Sequence, residues 1–253
     1  MQITKEECAE LARSLIPVAK SAGAAIMDVY NEGPSADQKS DGSPVTEADL
    51  RAEKIILEGL AQYAPDISIV SEESAQSHDA PVVDLFFLVD PLDGTREFIK
   101  ADGKGAFTVN IGLVHKGQPI MGIVYAPALN DMYWGVAGFG AFHNGNPIHT
   151  RQVPQSGAVA LASASHRDET TDEWLNRNKI NKTISIGSSL KFCLVARGEA
   201  DFYPRFGPTM EWDTAAGHAV LSAAGGRVTH PEGEDFTYGK AAYRNSAFIG
   251  VGI

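Results

Sequence analysis

Apolar residues recur at steps of three and four through Leu11, Leu15, Val18, Ala22, Ile26 and Val29. That spacing stacks them on one helical face and predicts a long helix near the N-terminus. Gly33-Pro34 stands beyond its end, and Pro17 marks a kink or a tolerant turn within it. A second helix is predicted over 47–63, with Thr46 as N-cap and Asp49 three residues later. Residues 37–44 are polar and contain glycine, so a mobile surface loop is expected there. The period then shortens. Apolar runs at 67–70 and 85–89 read as strands, and 107–115 and 119–126 flank Lys116-Gly117-Gln118 as an antiparallel hairpin that 132–136 continues. Gly138, Gly140 and Gly145 read as a turn region. The second half alternates. Strands are predicted at 159–163, 183–186, 227–230 and 247–251, and helices at 172–179, 189–197 and 214–224, the last closed by Gly225-Gly226. The pattern gives an α+β or mixed α/β class, with helices layered on antiparallel or mixed sheets.

With 253 residues the chain can bury a large core as one domain or two lobes. The expected organisation is a single domain over 1–253, with one lobe over 1–140 and a second over 141–253. The hydrophobic content of 43% is ordinary for a globular protein. No apolar run approaches the roughly 20 residues of a membrane span. The segment from Met1 to Glu7 has neither the basic nor the apolar region of a secretory leader, so none is expected. Two cysteines far apart, Cys8 and Cys193, suggest free thiols in a reducing cytoplasm. Peripheral attachment at the inner membrane face and the choice between monomer and homodimer are left open. A net charge of −11 with no Lys/Arg stripe speaks against nucleic-acid polymers as partners. A small phosphorylated substrate fits such a surface only if bound metal ions reverse the local field.

The chemistry concentrates in acids at element ends. Val89-Asp90-Pro91-Leu92-Asp93-Gly94-Thr95 closes one apolar run, Ser71-Glu72-Glu73-Ser74 closes another, and Glu211-Trp212-Asp213-Thr214 opens a helix. Buried carboxylates in such number call for a cation, and hard cations such as Mg²⁺ take carboxylate and phosphate oxygens. Asp90 and Asp93 can reach a common centre if the chain turns sharply at Pro91 and Gly94. Main-chain N–H groups at Gly94 and Thr95 could then hold a phosphate. The interval Asp-x-x-Asp-Gly-Thr disfavours an aspartyl-phosphate enzyme of the haloacid dehalogenase type. Its nucleophile and acid sit two apart on one strand face. A metal-activated water is preferred. No zinc-type His pair and no Walker-type phosphate loop is present.

These three motifs, in this order, resemble the signatures of the inositol monophosphatase superfamily, Mg²⁺-dependent and lithium-sensitive phosphatases, and the resemblance covers nearly the whole chain. It implies a helix–sheet–helix–sheet–helix sandwich of the sugar-phosphatase type and two or three Mg²⁺ ions. Glu72, Asp90 and the Leu92 carbonyl resemble ligands of a first ion. Asp90, Asp93 and Asp213 resemble ligands of a second, with Glu72 also facing a third, weaker one. Thr95 and Asp49 resemble the pair that orients and deprotonates the attacking water, which with Glu72 makes the catalytic set. The loop around Lys39 is similar to the segment that closes over the weaker ion.

Three further segments, Arg96-Glu97-Phe98-Ile99, 187–193 and 203–208, resemble the 3′(2′),5′-bisphosphate nucleotidases of that superfamily. Residues three apart share a helical face, so Ser188 and Lys191 can point together into a cleft. Arg205, beside Pro204 and Phe206, suits a phosphate or a base face. The resemblance implies that Ser188, Lys191 and Arg205 contact a nucleotide, with His166 against its base or ribose. Gly94, Thr95 and Asp213 complete the substrate-facing set. The reaction implied is removal of the 3′-phosphate of adenosine 3′,5′-bisphosphate, with inhibition by Li⁺ and Ca²⁺ and a place in sulfate assimilation. An inositol-, sugar- or histidinol-phosphate monophosphatase with the same metals is the alternative. A catalytically silent metal- or nucleotide-binding regulator is the second.

Overall fold

The structure, a computed structural model, describes residues 3–33, 37–38, 44–100, 105–163 and 168–253. The first helix, Lys5–Glu32, opens with a reciprocal cap: Glu7 N–H donates to Thr4 Oγ1 at 3.2 Å, and Thr4 N–H donates to Glu7 Oε2 at 2.8 Å. It runs on through Pro17 and ends at Gly33, whose φ of +91° few other residues adopt. The second helix, Glu47–Tyr63, packs beside it.

Seven strands form the first sheet, in the order Ser68–Ser71, Leu85–Asp93, Thr108–His115, Gln118–Ala126, Asp131–Val136, Gly140–His143 and Asn146–Ile148. Only the first pair is parallel. The glycine-punctuated stretch read as turns therefore carries two short strands, and the first sheet continues past residue 140 to Ile148. The expected lobe boundary falls inside this sheet, because the glycines sit at strand ends and leave the pairing between them intact.

One face of the sheet packs on the two N-terminal helices: Leu15, Ile26, Ile56 and Leu60 meet Phe87, Val89, Ile111 and Ile123. The other face meets helices Leu190–Ala196 and Ala215–Ala223. Those helices are covered in turn by a five-stranded sheet, in the order Lys182–Ile186, Val159–Ser163, Phe202–Arg205, Phe248–Val251 and Arg227–Thr229. Helix Glu169–Arg177 lies outside it, through Leu175, Trp174 and Phe202. The layers run helix, sheet, helix, sheet, helix, as expected.

Close packing at the centre depends on absent side chains. A Cβ on Gly122 would lie 2.1 Å from the Ala216 carbonyl oxygen, and one on Gly112 would lie 2.9 Å from Ala215 Cβ. Helix Ala215–Ala223 therefore rests directly on the strand backbones, with Asp213 just ahead of its first turn.

Candidate metal centre and active-site cleft

The strand Leu85–Asp93 is apolar up to Val89 and then carries Asp90, which is 1% exposed. Asp90 faces Asn110 on the next strand, and Asp93 faces Thr108. Three residue steps on one strand thus match two on the other, with a β-bulge between. Residues two apart share a strand face, so the extra residue at Pro91-Leu92 brings Asp90 and Asp93 to the same side. Their three-residue interval converges for that reason. After Asp93, Gly94 turns with φ +90°, and helix Thr95–Lys100 begins.

Glu72 follows the strand Ser68–Ser71, which is parallel to Leu85–Asp93. Asp213 arrives from the far end of the chain. Glu72, Asp90 and Asp213 each offer a carboxylate oxygen, and these oxygens lie within 4.8 Å of one another. Octahedral Mg²⁺ holds oxygens at about 2.0–2.1 Å, so opposite ligands stand about 4 Å apart and a slight contraction would close this set around an ion. The electrostatics point the same way. Burial, and then the charges of Glu72, Asp93 and Asp213, push Asp90 well above the usual carboxylate range. Asp213 is raised by burial and by Asp93 and Glu72. Burial lifts Asp93 to about 6, against the pull of Lys191 and the Ser189 N–H. Such a group takes protons when alone and a divalent cation when one is offered.

Backbone N–H groups hold one oxygen of each aspartate in place. Asp90 Oδ1 accepts from Leu92 N–H at 3.0 Å, Asp93 Oδ2 from Ser189 N–H at 2.5 Å, and Asp213 Oδ2 from Met210 N–H at 2.8 Å. The Leu92 carbonyl accepts from Thr95 Oγ1 at 3.1 Å. Asp49, 2% exposed, accepts at Oδ2 from Thr46 N–H (2.8 Å) and Thr46 Oγ1 (2.6 Å), so the helix cap anchors it where its charge reaches Asp90.

A cavity of about 550 Å³ opens beside these acids. Glu72, Asp93, Gly94, Thr95 and Asp213 line it together with Ser188, Lys191 and Arg205. Lys191 Nζ donates to the carbonyls of Ser188 at 2.5 Å and Ile186 at 3.3 Å, and lies 5.2 Å from the Tyr203 ring centroid. Burial lowers its pKa to about 8, although Asp93 works to raise it. Arg205 is fixed by the carbonyls of Gly207 (3.2 Å) and Pro208 (3.1 Å). Ser188 holds a left-handed φ of +51°, uncommon outside glycine.

The structure thus brings Glu72, Asp90, Asp93, Thr95 and Asp213 to one cleft with Ser188, Lys191 and Arg205. His166 and Lys39 lie outside the described residues. Glu211, grouped in the sequence with the acids that call for a cation, has a different partner: its carboxylate pairs with Lys240 Nζ at 2.7 Å and accepts the N–H groups of Gly239 and Lys240 at 2.8 and 2.9 Å. Thr108, Asn110 and Ser189 were missed as site residues. The available signal was a pair of polar residues two apart, Thr108 and Asn110, on an otherwise apolar strand.

Layers of this kind with a carboxylate cluster between them define a metal-dependent phosphatase fold. Residues 7–248 match the inositol monophosphatase family, and the chain belongs to that family. The 3′(2′),5′-bisphosphate nucleotidase CysQ of Salmonella typhimurium is 45% identical, with 87% of this chain and 91% of that protein covered. The crystal structure of CysQ from Bacteroides thetaiotaomicron superposes with a TM-score of 0.82 at 36% identity, covering 95% of this chain and 96% of that one. An inositol monophosphatase from Thermotoga maritima superposes at 0.78 and 26% identity, covering 93% and 89%. Among the described residues no helix is long and apolar enough to cross a membrane.

Proposed function

We propose that this chain is a Mg²⁺-dependent 3′(2′),5′-bisphosphate nucleotidase that converts adenosine 3′,5′-bisphosphate and water to AMP and phosphate. One observation carries the reading. One cavity is lined both by convergent acids and by two buried cations, Lys191 and Arg205. A substrate with two phosphates needs two positive loci, and this arrangement offers one through bound metal and one through side chains. The CysQ relative of Salmonella typhimurium, a 3′(2′),5′-bisphosphate nucleotidase, supports the reading.

Glu72, Asp90 and the Leu92 carbonyl would hold one Mg²⁺, and Asp90, Asp93 and Asp213 a second; Glu72 would also face a third. Ions held there would supply the chemistry of activating a water and offsetting charge on the attacking and leaving oxygens. Thr95 and Asp49 orient the water and take its proton. The water oxygen would bond to phosphorus as the P–O3′ bond breaks, and the ribose oxygen would take its proton from a solvent water while the proton on Asp49 returns to solvent, so no covalent enzyme intermediate forms. N–H groups of Gly94 and Thr95 steady the transferring phosphate. Ser188, Lys191 and Arg205 hold the 5′-phosphate and nucleoside. Cysteines buried without a disulfide, Cys8 and Cys193, support a cytoplasmic setting.

The test is phosphate release with Mg²⁺ from adenosine 3′,5′-bisphosphate and from inositol 1-phosphate at equal enzyme. The nucleotide should turn over at least about tenfold faster, a difference of about 1.4 kcal/mol in the barrier, and Li⁺ should inhibit. Faster release from inositol 1-phosphate would move the chain to the monophosphatases. Release from neither would favour the non-catalytic regulator.

A further inference from the structure

Thr108 and Asn110 are fully buried, and they stand opposite Asp93 and Asp90 on the neighbouring strand. Ser189, 2% exposed, comes from the chain just before helix Leu190–Ala196. Its hydroxyl donates to Asn110 Oδ1 at 2.5 Å. Asn110 Nδ2 donates to Thr108 Oγ1 at 3.2 Å. Thr108 Oγ1 and Ser189 Oγ lie 2.9 Å apart, and since the Ser189 proton is already given to Asn110, Thr108 is the donor there. The three bonds close a ring with a single sense, in which each group polarises the next. Ser189 has one more group to place, its N–H, and it donates to Asp93 Oδ2 at 2.5 Å.

We propose that Ser189, Asn110 and Thr108 form a positioning ring that fixes Asp93 for its ion. The inference rests on the reading of Asp93 as a ligand of the second Mg²⁺. A carboxylate on a bulged strand end has rotamer freedom that an ion would have to remove. Here Oδ2 is already taken by Ser189 N–H, and the ring decides where that N–H sits. Ser189 also stands between Ser188 and Lys191, which line the cavity, so the ring ties the segment that carries them to the strand of Thr108 and Asn110. None of the three side chains touches the reacting atoms in this account; they act through Asp93.

Three variants test it in the full chain: Ser189→Ala, Thr108→Val (same shape, no hydroxyl) and Thr108→Ser (hydroxyl kept). Mg²⁺ binding is measured calorimetrically without substrate, and kcat and KM with adenosine 3′,5′-bisphosphate. Ser189→Ala and Thr108→Val should each weaken one Mg²⁺ site by about 10-fold, a typical effect for a group that orients a metal ligand, and leave the other within about twofold. The fall should appear in kcat more than in KM, and Thr108→Ser should restore both readouts. If Ser189→Ala and Thr108→Val lose thermal stability but bind both ions and turn over as the parent does, the ring is structural only and the proposal is wrong. Equal weakening of both sites also overturns it, because that is general loosening. If the unaltered protein binds ions and hydrolyses the nucleotide in those experiments, the site reading survives the loss of the ring. If it binds none, the reading fails and the ring with it.

Discussion

Asp90 shows how single side chains are poised here between protonation and metal binding. It is buried, surrounded by the charges of Glu72, Asp93 and Asp213, and held above the usual carboxylate range. Asp90→Asn removes one of those like charges, so the metal-free protein should melt higher, by about 2–4 °C per kcal/mol gained in a chain of this size. The same variant should lose nearly all Mg²⁺-induced stabilisation, with activity down on the order of 10³-fold because several kcal/mol of charge stabilisation goes with the ion. A differential scan with and without Mg²⁺ checks the first two, and an unchanged Mg²⁺ response would remove Asp90 from the metal set. In the same cavity, Lys191→Met should raise KM for adenosine 3′,5′-bisphosphate by about 10-fold or more and leave a 3′-monophosphate much less affected, as expected for one lost charge-assisted contact to a phosphate. Equal losses on both substrates would place Lys191 away from the second phosphate. Residue types were readable at this scale, but partners were not. Glu211 and Asp213 stand two apart in one motif, yet one neutralises Lys240 and the other joins Glu72 and Asp90.

Elements were legible wherever periodicity and caps spoke with one voice. The helix Glu47–Tyr63 has the predicted bounds, because Thr46 and Asp49 cap each other across its first turn. The strand Val159–Ser163 also has its predicted bounds. Short pieces were not legible. Helix Thr95–Lys100 has six residues, too few for a period, and Phe202–Arg205 contains a proline yet pairs between two neighbours. The β-bulge at Pro91-Leu92 leaves no mark in the sequence beyond a proline, since it exists only relative to a partner strand. The element-scale prediction concerns the contact that seats helix Ala215–Ala223. Gly122→Ala puts a Cβ against the Ala216 carbonyl and should cost about 1–3 kcal/mol as overpacking. It should also weaken Mg²⁺ binding, because Asp213 is positioned by that helix. Urea unfolding together with a metal titration reads both; full retention of metal affinity would show that Asp213 is placed independently of the helix seat.

The whole molecule couples metal, protons and stability. In the unfolded chain these aspartates titrate near 4, about the unperturbed value. In the folded protein Asp93 sits at about 6, and Asp90 and Asp213 are pushed well up. Between those limits the folded state binds more protons than the unfolded one, so the cluster makes metal-free stability fall as pH rises. His218 works in the opposite sense: burial lowers it to about 3, so it costs stability as pH falls below about 6.5. His218 is not among the acids that would hold an ion; it faces Tyr238, so the Mg²⁺-induced rise in melting temperature is the clean readout. Mg²⁺ must displace the protons of the cluster, so that rise should be several-fold larger at pH 7.5 than at pH 5.5. A pH-independent Mg²⁺ effect would mean that the raised acids are not its ligands.

The sequence by itself determined the longer helices and strands, because period and capping residues act within a few positions. It also determined that the chain had acids to spare at element ends. Tertiary structure alone decided which of those acids come together, where the first sheet ends, and that Ser189, Asn110 and Thr108 close a ring against Asp93. Those outcomes depend on register and packing between segments far apart in the chain, and such distances are set by the sum of many contacts rather than by any local pattern.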